Sequence, residues 1–192
     1  MPTYTDTTGL TWNYFLSGGN ATIGTGGGFN GSGFATTDGT GLSGAITIPS
    51  TVDGYTVTGI DEYAFRQCSN LTSIDLSGTQ VETIGWQAFS LCSSLETIII
   101  PNSLTFINRY AFYNCTSLTS IDLSGTQVTS IGSDMCIRCT SLTSITIPDS
   151  VTTIGQNAFV ECSSLETIDL SGSVTTIGHS AFKECGLTSI TI

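Results

Sequence analysis

The chain has 192 residues, of which 39% are hydrophobic and only 10% charged, and its formal net charge is −11. That apolar share is enough to build a core, so disorder is not the starting assumption. The basic residues Arg66, Arg109, Arg138 and Lys183 stand singly; with no basic cluster to neutralise phosphates, nucleic acid is excluded as a partner, while cations, basic proteins and neutral glycans stay compatible.

From the N-terminus, MPTYTDTTGLTWNYF has neither a basic n-region nor an apolar h-region, so no signal peptide is visible. No apolar run is long enough to span a bilayer, and membrane insertion is not expected. TWNYFL and ATIGT, two apolar-polar segments around SGGN, predict a β-hairpin. The Gly-rich stretch that follows, with Phe29 and Phe34, reads as an irregular loop. Residues 1–44 are thus expected to form an N-terminal cap, hairpin plus Gly-rich loop, in front of a repeat region over 45–192.

The repeat shows as whole columns of residue types. Cys68, Cys92, Cys115, Cys139, Cys162 and Cys185 recur at 23 or 24 residues. Leu71, Leu95, Leu118, Leu142, Leu165 and Leu187 follow them, then Ile74, Ile98, Ile121, Ile145, Ile168 and Ile190. A Leu or Ile two residues on completes L-x-x-I-x-[LI], whose alternation and β-branching predict a short strand buried on one face. Ser-Gly-Thr-Gln, Pro-Asn-Ser and Pro-Asp-Ser supply turn chemistry after each strand. A V-x-x-I-G-x-x-A-F-x-x segment then leads to the next Cys, with one residue gained or lost before the Val. Its apolar residues recur at i, i+4, i+5 and i+8, which predicts one or two helical or 3₁₀ turns on a convex side. One such unit cannot bury its own apolar edges, so successive units must stack, strand against parallel strand. In the fourth complete unit Met135 and Cys136 replace Ala-Phe, a soft pair of similar summed volume that reads as core compensation.

The segment ITIPDSVTTIGQNAFVECSSL resembles, almost letter for letter, the pattern of the BspA-like branch of the leucine-rich-repeat proteins. The resemblance spans roughly residues 45–192 and is echoed in AITIPSTVDGYTVTGIDEYAF, with a small turn insertion at Asp53-Gly54-Tyr55. It implies a leucine-rich-repeat solenoid with short parallel strands on a concave face, about six units plus a terminal strand. It also implies a microbial surface protein engaged in adhesion and protein binding.

Candidate chemistry divides into three groups. The Cys ladder, with Cys136-x-x-Cys139, reads as buried free thiols about 5 Å apart, not as a metal site, because a lone C-x-x-C lacks a second ligand pair. The outward strand columns offer Ser73, Asp75, Thr97, Ser120, Asp122, Ser144, Thr146, Thr167 and Asp169 as a concave binding face. The carboxylates fall on every second unit, about 10 Å apart, which suits a solvated array or a cationic or polyhydroxylated partner but not a shared acid/base pair. Tyr63, Trp86, Arg109, Tyr110 and Tyr113 form a candidate convex aromatic patch of the kind that supplies recognition hot spots. His179, the sole histidine, has no Ser or Cys partner by motif, and no catalytic residue, metal or cofactor is expected.

The expected function is a non-enzymatic module that presents its repeat surface to a protein or glycan at the cell surface or outside the cell. The alternative is a decoration or fibre component of a virion surface. The final LTSITI strand carries no polar cap, so a second copy or another partner is expected to cover the edge near Ile192.

Overall fold

A computed structural model describes residues 2–24, 42–170 and 172–192; the expected Gly-rich loop, with Phe29 and Phe34, lies outside them. Strands β1 (Thr3–Thr5), β2 (Thr11–Ser17) and β3 (Asn20–Ile23) open the chain. β2 and β3 form an antiparallel hairpin in which Ser17 faces Asn20. The two residues between them, Gly18 and Gly19, both have positive φ (59° and 86°), as the tightest hairpin turn requires. β3 then pairs in parallel with β6 (Tyr55–Ile60), Ile23 beside Ile60, so the hairpin enters the same sheet as the repeats. Its buried Trp12, Tyr14, Ala21 and Ile23 join the repeat core in one cluster. The Trp12 indole donates to Asp6 at 2.7 Å and the Tyr14 hydroxyl to Asp53 at 2.6 Å. That bond, with burial, pushes the Tyr14 phenol up to about 12.

The repeats build two parallel ladders. The first consists of β4 (Ser43–Thr47), β7 (Asn70–Asp75), β9 (Thr97–Ile99), β11 (Ser120–Asp122), β13 (Ser144–Thr146), β15 (Thr167–Asp169) and β17 (Ser189–Thr191). These pair as β4-β7-β9, β11-β13 and β15-β17, with β9 next to β11 and β13 next to β15. They are the L-x-x-I-x-[LI] strands, and their Ile residues stand in register, Ile74 with Ile98 and Ile121 with Ile145. The second ladder, absent from the sequence expectation, runs through the step that ends on the second Ile of each unit: β6, β8 (Thr83–Ile84) and β10 (Phe106–Ile107) pair in one sheet, and β12 (Ser130–Ile131), β14 (Thr153–Ile154) and β16 (Thr176–Ile177) in another. A two-residue strand β5 (Thr51–Val52) folds back on β6 through Asp53-Gly54, both at positive φ, a hairpin made by the Asp-Gly turn insertion.

The expected helical or 3₁₀ side is corrected: the described residues contain no helix. The segment Asp61–Cys68 is instead a run of overlapping turns. Ala64, Arg66 and Cys68 donate their N–H groups to the carbonyls of Asp61, Tyr63 and Phe65, three residues back. The intervening Tyr63, Phe65 and Gln67 donate theirs to Trp86, Ala88 and Ser90 of the next unit, at 2.7–2.9 Å. A helix would consume all of these donors internally; here every second one is needed to hold the next unit, and stacking wins. The geometry demands a left-handed residue at the third position of two turns per unit. Tyr63 and Gln67 fill it (φ 61° and 66°), then Gln87 and Leu91, Tyr110 and Asn114, and so on to Ser180 and Glu184. The helix-like apolar spacing survives because Ile60, Ala64, Phe65 and Cys68 all still point inward, 0–1% exposed.

Inside, the columns stack as rows. Phe65, Phe89 and Phe112 lie ring on ring, 5.2 and 5.5 Å between centroids. The stack stops where Cys136 takes the ring position and resumes at Phe159 and Phe182, 5.4 Å apart. Met135 and Cys136 are both fully buried, so the volume lost at the ring position is restored by its neighbour.

Two substitutions test this backbone account. Gln67→Gly, at an exposed left-handed position, relieves about 1–2 kcal/mol of Cβ strain against about 0.5–1 kcal/mol of added chain entropy, so urea unfolding should show a small net gain in stability. Gly85→Ala places a Cβ 2.4 Å from the Glu62 main-chain nitrogen and should cost about 1–3 kcal/mol. A neutral Gly85→Ala would mean that the units do not approach this closely.

Candidate functional site

The first-ladder candidates fall where the columns placed them, side by side on successive strands. Ser73 pairs with Thr97, Ser120 with Ser144, and Asp122 with Thr146; Thr167 and Asp169 pair with Ser189 and Thr191. Ser73 and Asp75 are half-buried, and the other seven candidates are exposed. Within this face the outward position beside Asp75 is Ile99, which is 52% exposed. The sequence gives the signal for it: isoleucine occupies a column otherwise filled by Asp and Thr.

The carboxylates also have local work. Asp75 Oδ1 accepts the N–H of Ser77 at 2.8 Å, and Asp122 Oδ1 that of Ser124 at 2.9 Å. These are side-chain-capped turns. At the place of Ser77 and Ser124, the alternate units carry Pro49, Pro101 and Pro148, which have no N–H to satisfy. The alternation of Asp with Thr or Ile thus follows the alternation of two turn types. The same turns explain the 24-residue units: their extra residue lies in Ser-Gly-Thr-Gln, where buried Thr79 and Thr126 donate to the Leu76 and Leu123 carbonyls at 2.7 and 2.8 Å.

The cysteine ladder is structural as well. The Sγ atoms of Cys92, Cys115, Cys139 and Cys185 lie 2.9–3.1 Å from the carbonyl oxygens of Phe65, Phe89, Phe112 and Phe159, each in the preceding unit. Cys162 donates in the same way to Cys136. All seven cysteines are free thiols and only Cys185 is half-buried. Burial raises the Cys68 thiol to about 11 and lifts those of Cys92 and Cys115 as well, which suppresses thiolate chemistry at these three. Among the described residues no three His, Cys, Asp or Glu side chains converge as a metal site would require.

The aromatic candidates separate into two pairs. Tyr63 and Trp86 meet edge to face at 4.9 Å, and Tyr110 and Tyr113 at 5.9 Å. Arg109 lies 5.4 Å from the Tyr110 ring and is held at 2.7 Å by Asp134, whose other oxygen accepts from Asn157 at 3.0 Å. Asp134 is buried and escaped the sequence reading because its unit had lost the Ala-Phe landmark. Trp86 lines a different depression, with Phe15 and the 49% exposed Phe106. Tyr113 lines another, with Arg138, His179 and Lys183.

The Asp122 carboxyl is held below its ordinary value by the Ser124 N–H first and then by the Ser124 hydroxyl; burial opposes them, and the Thr146 hydroxyl adds the smallest lowering effect. A lowered folded-state value means that the stabilisation is complete above the unfolded carboxyl range and is lost as pH falls through the folded value. Asp122→Ala should therefore cost stability near neutral pH, about 0.5 kcal/mol for so exposed a group, with the difference from wild type vanishing in acid. Urea midpoints at pH 7 and pH 3 check this; an equal cost at both would remove the carboxylate from the turn.

Comparison with known proteins agrees with this architecture. A structure of a leucine rich cell surface protein from Faecalibacterium prausnitzii is similar over 99% of this chain, at 29% identity and a TM-score of 0.69, and the chain spans 54% of that protein. The leucine rich repeat protein of T. pallidum is similar at 27% identity and a TM-score of 0.74, over 91% of this chain and 86% of its own. The pneumococcal vaccine antigen PcpA shares the fold at 24% identity and a TM-score of 0.66, over 98% of this chain and 48% of its own. No match to a curated protein was found. The BspA type leucine rich repeat region matches residues 44–159 and 129–192 in six copies, and the chain belongs to that family.

Proposed function

We propose that the chain is a non-enzymatic recognition and adhesion module of a microbial cell surface, and that it docks a protein partner on the outward face of its first ladder. The observation that carries this reading is Ile99, 52% exposed on an outward strand position whose column holds Asp75 on one side and Asp122 on the other. An apolar side chain there does nothing for the core, since Ile98 fills the inward position. Ringed by polar groups, it has the make-up of an interface anchor, where one desolvated apolar contact supplies affinity and the rim supplies orientation. Ser73, Thr97 and Ser120, two residues back on the same strands, add hydroxyls to that rim. A surface location is supported by the cell surface protein to which the chain is similar over nearly its whole length.

Beads coated with the chain should adhere to cultured epithelial cells. Ile99→Lys should reduce that adhesion about tenfold, the effect of losing one modest hot spot. Exposed as it is, the substitution should leave the urea midpoint unchanged. Undiminished adhesion by a folded Ile99→Lys variant would remove this face from the contact.

A further inference from the structure

The second ladder carries a cleft of about 310 Å³ at the place where the hairpin joins the repeats. Phe15, Trp86 and Phe106 line it together with Asp61, Glu62 and Asn108. Its aromatic wall is particular to this site. The same position of the second ladder is otherwise a small residue, Gly59, Thr83, Ser130, Thr153 or Thr176. Phe106 breaks that column although Ile107 already fills the core position beside it, 2% exposed.

The floor is closed by small side chains, Thr22 and Thr83, which line the cleft. Gly59 stands in the same column next to Thr83, and a Cβ there would come within 3.0 Å of the Thr22 hydroxyl of the hairpin. Glycine at that buried position lets Thr22 and Thr83 pack over β6 beneath the cleft. Trp86 is fixed before any ligand arrives by its edge-to-face contact with Tyr63 at 4.9 Å.

We propose that this cleft binds one cationic side chain, an arginine or lysine presented by an extended segment of a partner protein. Aromatic faces attract cations through their quadrupole, and carboxylates attract them by charge, so both kinds of lining select the same ligand. Among the described residues that line the cleft none is basic, and the net charge of −11 draws a cation in from a distance. A neutral sugar would gain hydrogen bonds from these carboxylates but nothing from their charge, and an anion would be repelled. The cleft lies on a different ladder from Ile99, so its occupancy does not depend on the strand-face contact.

The probe is a glycine-flanked peptide with a single arginine, compared with its glutamine counterpart and with a neutral gluco-oligosaccharide, using calorimetry and tryptophan emission on the full chain. Trp12 is fully buried, so a saturable change in emission reports Trp86. The arginine peptide should bind at least about fivefold more tightly than the glutamine peptide, and the preference should shrink as salt rises. Phe106→Ala and Glu62→Gln should each weaken binding of the arginine peptide by about three- to tenfold, with far-ultraviolet dichroism unchanged. The proposal is overturned if the arginine peptide gives no saturable signal, if the glutamine peptide or the oligosaccharide binds as well, or if neither substitution alters its affinity.

Discussion

Everything in this molecule depends on main-chain pairing between one repeat and the next. From β8 onward a unit of 23 or 24 residues has strands of two or three residues and no internal sheet, so the N–H and C=O groups of its strands and both its apolar edges are satisfied only by neighbours. Pairing runs along three sides of each unit: two parallel ladders and the turn segment, where alternate N–H groups cross to the next unit. It also sets the axial step, and the step sets the chemistry. Phenylalanine rings stack at 5.2–5.5 Å, and thiols meet the carbonyls of the unit before them. Glycine after the Ile of the second ladder is required where backbones close to within a Cβ. A dozen non-glycine residues accept left-handed backbone on the turn side, a conformation tolerated only where surrounding bonds over-determine it.

That economy leaves few polar groups for chemistry. Cysteine sulfurs bond carbonyls, buried Thr79 and Thr126 close turns, and Thr105, Thr119, Thr143 and Thr188 bond main-chain oxygens of the preceding unit at 3.0–3.2 Å. Asp75 and Asp122 cap their own turns. Asp134 ties Arg109 to Asn157, and Arg138 meets Glu161 in solvent at 3.0 Å, a contact worth little to stability. Two apolar side chains also stand outside this structural use. Ile99 and Phe106 occupy outward positions on different ladders, each next to a residue that already fills the core. Recognition by a few exposed apolar and aromatic side chains on a stiff, acidic scaffold is the mode we propose.

The acidic surface matters differently at the two places. Around Ile99 the carboxylates are spread through a hydroxyl-rich face, where they orient more than they attract. In the cleft, Asp61 and Glu62 share one depression with three aromatic rings, and charge and quadrupole act in the same direction.

The stacking of units, the inward columns, the hairpin and the family were legible in the sequence, because each is written as a periodicity or a turn signal that any solution must honour. The alternation of Asp with Pro-containing turns stands in the sequence, but its reason came with the structure, where the Asp75 and Asp122 carboxylates accept N–H groups that proline at that place would lack. What only the tertiary structure decided was where the shared donors go. The I-G-x-x-A-F segment has helical spacing, yet its alternate N–H groups are claimed by the next unit, so turns with left-handed residues replace a helix and a second ladder appears beside them. Likewise Phe15 and Phe106 come to line one depression and Arg109 meets Asp134, residues 91 and 25 positions apart in the sequence that only the stacking of hairpin and repeats brings to the same surface.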